Sequence, residues 1–152
     1  MKRLKKMALL ASMILAGTLL FTACQTFEFS EIDVALGKER VSGEIEGFVH
    51  TNAESVVEGE ITFAVKNEGA FKHNLIVLET DLDPDDLIVA GDQVDLGASG
   101  DERGRIASRF LLSGGSNNHT FRLDPGEYVL LSNEPGDYIS GMFARLSVLE
   151  EK

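Results

Sequence analysis

The stretch His119-Thr120-Phe121-Arg122-Leu123-Asp124-Pro125-Gly126-Glu127-Tyr128-Val129-Leu130-Leu131-Ser132 reads as two short strands on either side of a turn. His119, Phe121 and Leu123 alternate with Thr120 and Arg122, and Tyr128, Leu130 and Ser132 resume the alternation after Glu127. That period of two marks strands with one face in a core. Asp124-Pro125-Gly126-Glu127 carries the turn chemistry, because Pro presets φ and Gly tolerates conformations that other residues resist. With Pro125 and Gly126 as a two-residue turn, 123 pairs with 128, 121 with 130 and 119 with 132, so His119 faces Ser132 on one side of the ladder. A longer turn changes the register and sends His119 to the other face.

The same alternation extends in both directions. Ile61, Phe63 and Val65 alternate with Thr62, Ala64 and Lys66 up to Asn67-Glu68-Gly69; His73, Leu75 and Val77 follow, and Leu146 and Val148 close the chain. Asp83 followed by Pro84 reads as the cap and first position of one short helix ending near Gly91. From Gly91 to Asn118 the chain is rich in Gly, Ser and Asp and reads as a long excursion with little regular structure. Residues 24–43 are expected to be a tether, or at most to contain a first edge strand, which leaves 44–152 as the domain. Short strands separated by turns, with one minor helix, predict an all-β Greek-key sandwich over residues 56–150. Its expected core is Ile61, Phe63, Val65, Leu75, Val77, Phe121, Leu123, Tyr128, Leu130, Leu146 and Val148.

Composition narrows the function classes. A 152-residue chain with 43% hydrophobic residues and nine Phe has enough apolar mass for one core. All 25 Asp and Glu lie beyond residue 23, whereas Lys2, Arg3, Lys5 and Lys6 precede it, so the remainder is more acidic than the full-chain net charge of −11. Charge of that sign repels phosphate backbones and argues against nucleic acid as a partner. One cysteine, Cys24, excludes an internal disulfide framework and a cysteine-based zinc cluster. Met1–Lys6 is basic and the run from Met7 to Ala23 is uncharged and apolar, so residues 1–23 read as an export signal. Leu20-Phe21-Thr22-Ala23-Cys24 resembles the bacterial lipobox, which implies lipidation of Cys24 and a membrane-anchored lipoprotein facing the periplasm or the cell exterior. The alternative is an ordinary export signal that leaves Cys24 a free thiol.

Two further segments carry a resemblance to the plastocyanin-like and sulfocyanin-like cupredoxins. Phe71-Lys72-His73-Asn74-Leu75-Ile76-Val77 is similar to the segment that supplies the first copper histidine, followed by the Asn that braces the ligand loops. Tyr128-Val129-Leu130-Leu131-Ser132-Asn133-Glu134-Pro135-Gly136-Asp137-Tyr138-Ile139-Ser140-Gly141-Met142 looks like the C-terminal ligand loop, in which Tyr, three residues and Cys precede Pro-Gly-His and then Gly-Met. The Cys, His and Met positions of that loop fall at 132, 137 and 142. The resemblance covers about residues 56 to 150. It implies a cupredoxin-like sandwich and, in the family, a blue copper centre.

The residues at those positions depart from the family's chemistry. A blue copper site needs two imidazoles and a thiolate in a plane, with a weak axial thioether. Ser132 stands at the thiolate position and Asp137 at the second imidazole position, leaving only His73 and Met142 matched. If the 119–132 pairing holds, His119 brings a second imidazole, and His73, His119, Asp137 and Met142 form the candidate metal set. Met142 as a core filler and His119 as a half-exposed polar residue are the plainer reading. The expectation is a non-enzymatic binding or accessory lipoprotein of the cell envelope with an incomplete blue copper site, its protein partner unspecified. No cofactor is required by the pattern, copper being the one candidate. The alternative is a copper-binding or electron-transfer protein with a non-blue site built from His73, His119 and Met142. His50 reads as a surface residue.

Other motifs are weaker. Ser113-Gly114-Gly115-Ser116 has no Lys after it and no strand-to-helix context, so it is a loop before it is a phosphate cradle. Asp81, Asp83, Asp85 and Asp86 are interrupted by Pro84 and lack the Glu that would complete a calcium loop. No Gly-x-Ser-x-Gly elbow exists to support a hydrolase. The anchor is directly testable: Cys24→Ala is expected to move the protein from the membrane to the soluble fraction, and unchanged partition would refute lipidation.

Overall fold

The computed structural model describes residues 30–152. The export signal of residues 1–23 and Cys24 lie outside them. The described chain runs through β1 (Ser30–Val41), β2 (Glu44–Thr51), β3 (Ser55–Val57), β4 (Gly59–Asn67), β5 (Leu75–Glu79), β6 (Val89–Ala90), β7 (Gln93–Val94), α1 (Leu96–Ser99), β8 (Asp101–Ile106), β9 (Ser116–Leu123), β10 (Gly126–Leu131) and β11 (Phe143–Leu149). A four-stranded sheet in the order β2-β1-β4-β9 faces a five-stranded sheet in the order β3-β11-β10-β5-β8, and β6-β7 is a small separate ribbon.

The predicted alternation fills the space between the sheets. Ile32, Val34, Leu36, Ile61, Phe63, Val65 and Leu123 meet Leu75, Val77, Tyr128, Leu130, Leu146 and Val148, with Met142 and Leu111 in the same cluster. The expected core residues are buried, apart from Phe121, which packs half-buried against the cluster. Its ring lies over Gly104, where a Cβ would come within 2.6 Å of it, and so closes the gap between the edge strands β8 and β9. The runs Leu75–Leu78 and Tyr128–Leu131 are buried at every position. Their second face is covered by a smaller cluster in which Ile76, Leu78, Val129 and Leu131 meet Leu87, Val94 and Tyr138. Continuous apolar runs of this kind belong to strands covered on both sides.

Four expectations need correction. Residues 24–43 are not a tether where they are described: β1 lies between β2 and β4, antiparallel to the first and parallel to the second, and Ile32, Val34 and Leu36 are at most 2% exposed. It turns into β2 through Ser42 and Gly43, both at positive φ (51° and 97°), the conformation of a tight two-residue hairpin. Second, β9 and β10 do not pair. β9 pairs with β4, setting His119 beside Phe63, while β10 pairs with β11 and β5. Asp124-Pro125 is therefore a corner between sheets, held by the Tyr128 hydroxyl donating to the Asp124 carbonyl at 2.8 Å. Leu123 and Tyr128 thus enter the same core from opposite sheets.

Third, the helix expected from Asp83 to Gly91 does not form. The Asp86 N–H closes one turn onto the Asp83 carbonyl, but the Leu87 N–H goes to the Tyr138 hydroxyl and the Ile88 N–H to Ser99 Oγ, so tertiary partners take the donors a helix would need. The short helix is α1, capped by Asp95, whose side chain accepts from the Ala98 N–H at 3.1 Å. Fourth, the 91–118 excursion contains β7, α1, β8 and the start of β9. β8 escapes a periodicity reading because Asp101-Glu102-Arg103-Gly104-Arg105 is polar on both faces and buries only Ile106.

Because β1 is interior, Ile32→Ala is expected to cost about 3 kcal/mol, within the usual range for a buried Ile or Leu truncated to Ala. Urea unfolding measures this, and a loss below about 0.5 kcal/mol, as for an ordinary surface change, would contradict the placement.

Candidate functional site

The site forms where three loops and the end of β1 converge. Asn67, fully buried at the end of β4, organises the first loop: its amide donates to the carbonyls of Phe71 (2.6 Å) and Leu111 (2.9 Å) and accepts from the Gly69 N–H. The His73 N–H then donates to the Leu111 carbonyl at 3.1 Å, fixing the imidazole at the mouth of β5. Ser132 follows β10, and its N–H donates to the Met142 carbonyl. The Asp137 carbonyl accepts from the Met142 N–H, so the 132–142 loop is closed on itself. Asn74 ties the two loops together: its N–H donates to Ser132 Oγ at 3.2 Å, and its side-chain carbonyl accepts from the Asn133 N–H at 2.8 Å. This is the bracing role that the resemblance implied for it.

Asp137 is the centre of the arrangement. Its Oδ2 lies 2.6 Å from His73 Nδ1 and 2.5 Å from Ser132 Oγ, and its Oδ1 lies 2.8 Å from Lys38 Nζ. The Asp137 and Lys38 side chains are 3% and 15% exposed. Burial pushes the Asp137 carboxyl upward, but hydrogen bonds from His73, Lys38 and Ser132 favour the ionised form and hold it below the ordinary carboxylate range. An ionised carboxylate only accepts, so Nδ1 of His73 and the hydroxyl of Ser132 both donate to Oδ2. His73 Nε2 is buried and finds no hydrogen-bond partner among the described residues.

Of the four residues proposed to bind metal, His73 and Asp137 are bonded to each other, and Met142 is fully buried with its backbone bonded to Ser132 and Asp137 of its own loop. His119 does not join them. It is exposed on β9, in the opposite sheet from β10, and its ring packs against Phe121 at 4.6 Å between centroids. Among the described residues no three His, Cys, Asp or Glu side chains are grouped to hold a metal ion. His50 is exposed, as expected, and stacks on Phe48.

Lys38 was not a candidate from sequence, although a signal existed. Ile32, Val34, Leu36 and Lys38 share the inward face of β1 under the period of two, but the segment containing them read as a tether. Gly47, opposite Lys38 in the β1–β2 register, also matters. A Cβ there would approach Met142 Cγ to 2.4 Å and Ser140 Oγ to 2.6 Å, so only Gly lets the β1–β2 ribbon lie on the 136–142 loop.

No protein-family model and no curated protein matches the sequence. Among solved structures, the chain is similar to dithionite-reduced auracyanin from the photosynthetic bacterium Roseiflexus castenholzii, at 23% identity over 79% of this chain and 97% of that one, with a TM-score of 0.53. It is also similar to rusticyanin from Thiobacillus ferrooxidans, at 16% identity over 79% of this chain and 78% of that one, again with a TM-score of 0.53. The domain has the cupredoxin fold. At these identities the likeness is one of architecture.

A blue copper centre does not fit the residues that this cupredoxin fold carries at the site. Ser132 offers no thiolate, Nδ1 of His73 is engaged with the Asp137 carboxylate, and the Lys38 ammonium lies 2.8 Å from the other oxygen of that carboxylate. What the arrangement can do is hold an ion pair and its hydrogen bonds in a fixed geometry. Removing one partner of such a buried pair costs about 3 kcal/mol or more, whereas removing both costs less than the sum. Lys38→Met and Asp137→Leu are therefore expected to be strongly non-additive in urea unfolding, and simple additivity would show that the pair carries no coupling.

The pH dependence has a definite sign. The folded carboxyl of Asp137 lies below its unfolded value, so its stabilising contribution is complete above about pH 3.9 and is lost as the pH falls through the folded value. The stability gap between wild type and Asp137→Asn should narrow as the pH drops below about 4. A gap that stays constant between neutral pH and pH 3 would contradict this.

Proposed function

We propose that the protein is a cell-envelope lipoprotein whose cupredoxin-fold domain serves a non-enzymatic binding or accessory role and does not carry electrons through copper. One observation carries the reading: Asp137 Oδ2 sits between Ser132 Oγ and His73 Nδ1, at 2.5 and 2.6 Å, so the groups that face each other across a blue copper centre are bonded here to a carboxylate. The membrane half of the reading rests on the sequence around Cys24, where an acyl chain contributes about 0.8 kcal/mol per buried CH₂. Among the described residues no helix is long and apolar enough to cross a membrane.

A binding role is supported by the loops that frame the site. Phe71, Phe110, Leu112 and Ile139 are each about half exposed or more; the first three lie on segments joined by the bonds from Asn67 to Phe71 and Leu111 and from Ser113 to Gly69, and Ile139 lies on the 132–142 loop that His73 and Asn74 bond. Exposed apolar side chains gathered on functional loops are a common mark of protein contact surfaces. The alternative, a non-blue copper centre from His73, His119 and Met142, needs a second imidazole, and His119 is exposed on the other sheet.

The test is copper loading. The full chain with Cys24→Ala, dialysed with Cu(II), is expected to retain well under one copper per chain and to show no intense visible band. Stoichiometric copper that is lost with His73→Ala and retained with His50→Ala would overturn the proposal in favour of the alternative.

A further inference from the structure

We propose that Lys38 is the residue that keeps this centre free of metal, acting as a built-in cation: its ammonium supplies the positive charge that a bound metal ion would bring, and Asp137 Oδ2 takes the point between Ser132 and His73 where that ion would sit. The inference rests on the reading that the centre does not hold copper, and it adds a residue that the cupredoxin ligand pattern does not contain.

The placement of Lys38 is what carries it. Along β1, the inward row Ile32, Val34 and Leu36 is followed by Lys38, so a charged side chain stands where the alternation calls for an apolar one. Lysine is rarely buried to this extent without a partner, because an unanswered ammonium in a core is strongly disfavoured. The partner is Asp137, 2.8 Å away, and the Gly136 carbonyl lies 3.4 Å from the same nitrogen. The ribbon is also shaped to bring Lys38 there, since Gly47 across the ladder has no side chain and lets the strands rest on Met142 and Ser140.

The charges then balance within the cluster. One ammonium answers one carboxylate, while His73 and Ser132 spend their protons on the same Oδ2. A divalent ion entering this space would have to displace the His73 and Ser132 protons from Oδ2 and sit within a few ångströms of a like charge. At such separations like charges in a partly buried site repel strongly enough to weaken binding by at least about tenfold. The loss of the thiolate position alone would remove blue colour but would leave a His73–Asp137 pair free to take up a hard cation. Lys38 is what closes that route.

The experiment uses the full chain with Cys24→Ala and reads divalent-ion affinity by calorimetric titration with Zn(II) and Cu(II). Lys38→Gln removes the charge but keeps an amide that can donate to Asp137; Lys38→Arg keeps the charge. The expected result is that Lys38→Gln gains at least about tenfold in affinity over the Cys24→Ala parent, with Lys38→Arg unchanged. Equal affinity in all three would overturn the role of Lys38. A second arm restores the family's ligands with Ser132→Cys and Asp137→His, with and without Lys38→Gln. Copper bound per chain and the intense visible band should be markedly higher when Lys38 is replaced, and equal loading in both would overturn the proposal. Should these multiply substituted chains fail to fold, the single-site titration decides alone. Stoichiometric copper in the parent itself would instead refute the metal-free reading on which this rests, so the two failures are told apart.

Discussion

A carboxylate with 3% of its side chain exposed must be answered by its surroundings, and at Asp137 the answers come from three separate parts of the chain. Lys38 reaches it from β1, His73 from the loop between β4 and β5, and Ser132 from the end of β10. β1 belongs to the four-stranded sheet and β10 to the five-stranded one, so this single group joins both halves of the sandwich at one end. An ionised carboxylate taken out of water is disfavoured by several kcal/mol unless its oxygens are satisfied, which is why the geometry around it is so fully hydrogen-bonded. The Asn67 and Asn74 side chains hold the loops that present those donors.

The fold and the chemistry of its site part company here. The cupredoxin architecture positions an imidazole, a side chain after β10 and a loop ending in a methionine around one point, whatever occupies that point. With a thiolate and a second imidazole the point suits a soft metal ion; with a hydroxyl and a carboxylate it suits hydrogen-bond donors and a fixed positive charge. The same scaffold can therefore be kept in shape by an internal ion pair, and function has to be argued from the site and not from the fold.

Much of this was legible in the sequence, for reasons particular residues make plain. Ile61, Phe63 and Val65, or Leu146 and Val148, announce their strands because one face is buried and the other wet. The loop spacing at 132, 137 and 142 located the site because turn lengths there are fixed by the backbone bonds among Ser132, Asp137 and Met142. Two things hid the rest. The alternation His119-Phe121-Leu123 and Tyr128-Leu130 is identical for a hairpin and for a corner between sheets, so the pairing of 119 with 132 followed from local pattern and failed on tertiary topology. Lys38 escaped because a charge on the inward face of a strand interrupts the pattern by which inward faces are found, and its partner lies far along the chain at Asp137.

The central claim is that Nδ1 of His73 carries a proton donated to Asp137, where a metal-binding site would present a bare nitrogen. Nitrogen-15 NMR of the His73 imidazole in the Cys24→Ala chain observes that proton directly, before and after one equivalent of diamagnetic Zn(II). A protonated Nδ1 in slow exchange with water, its shift unmoved by zinc, is the predicted result. Loss of that proton on adding the ion, with Nδ1 taking the shift of a metal-bound nitrogen, would contradict the account.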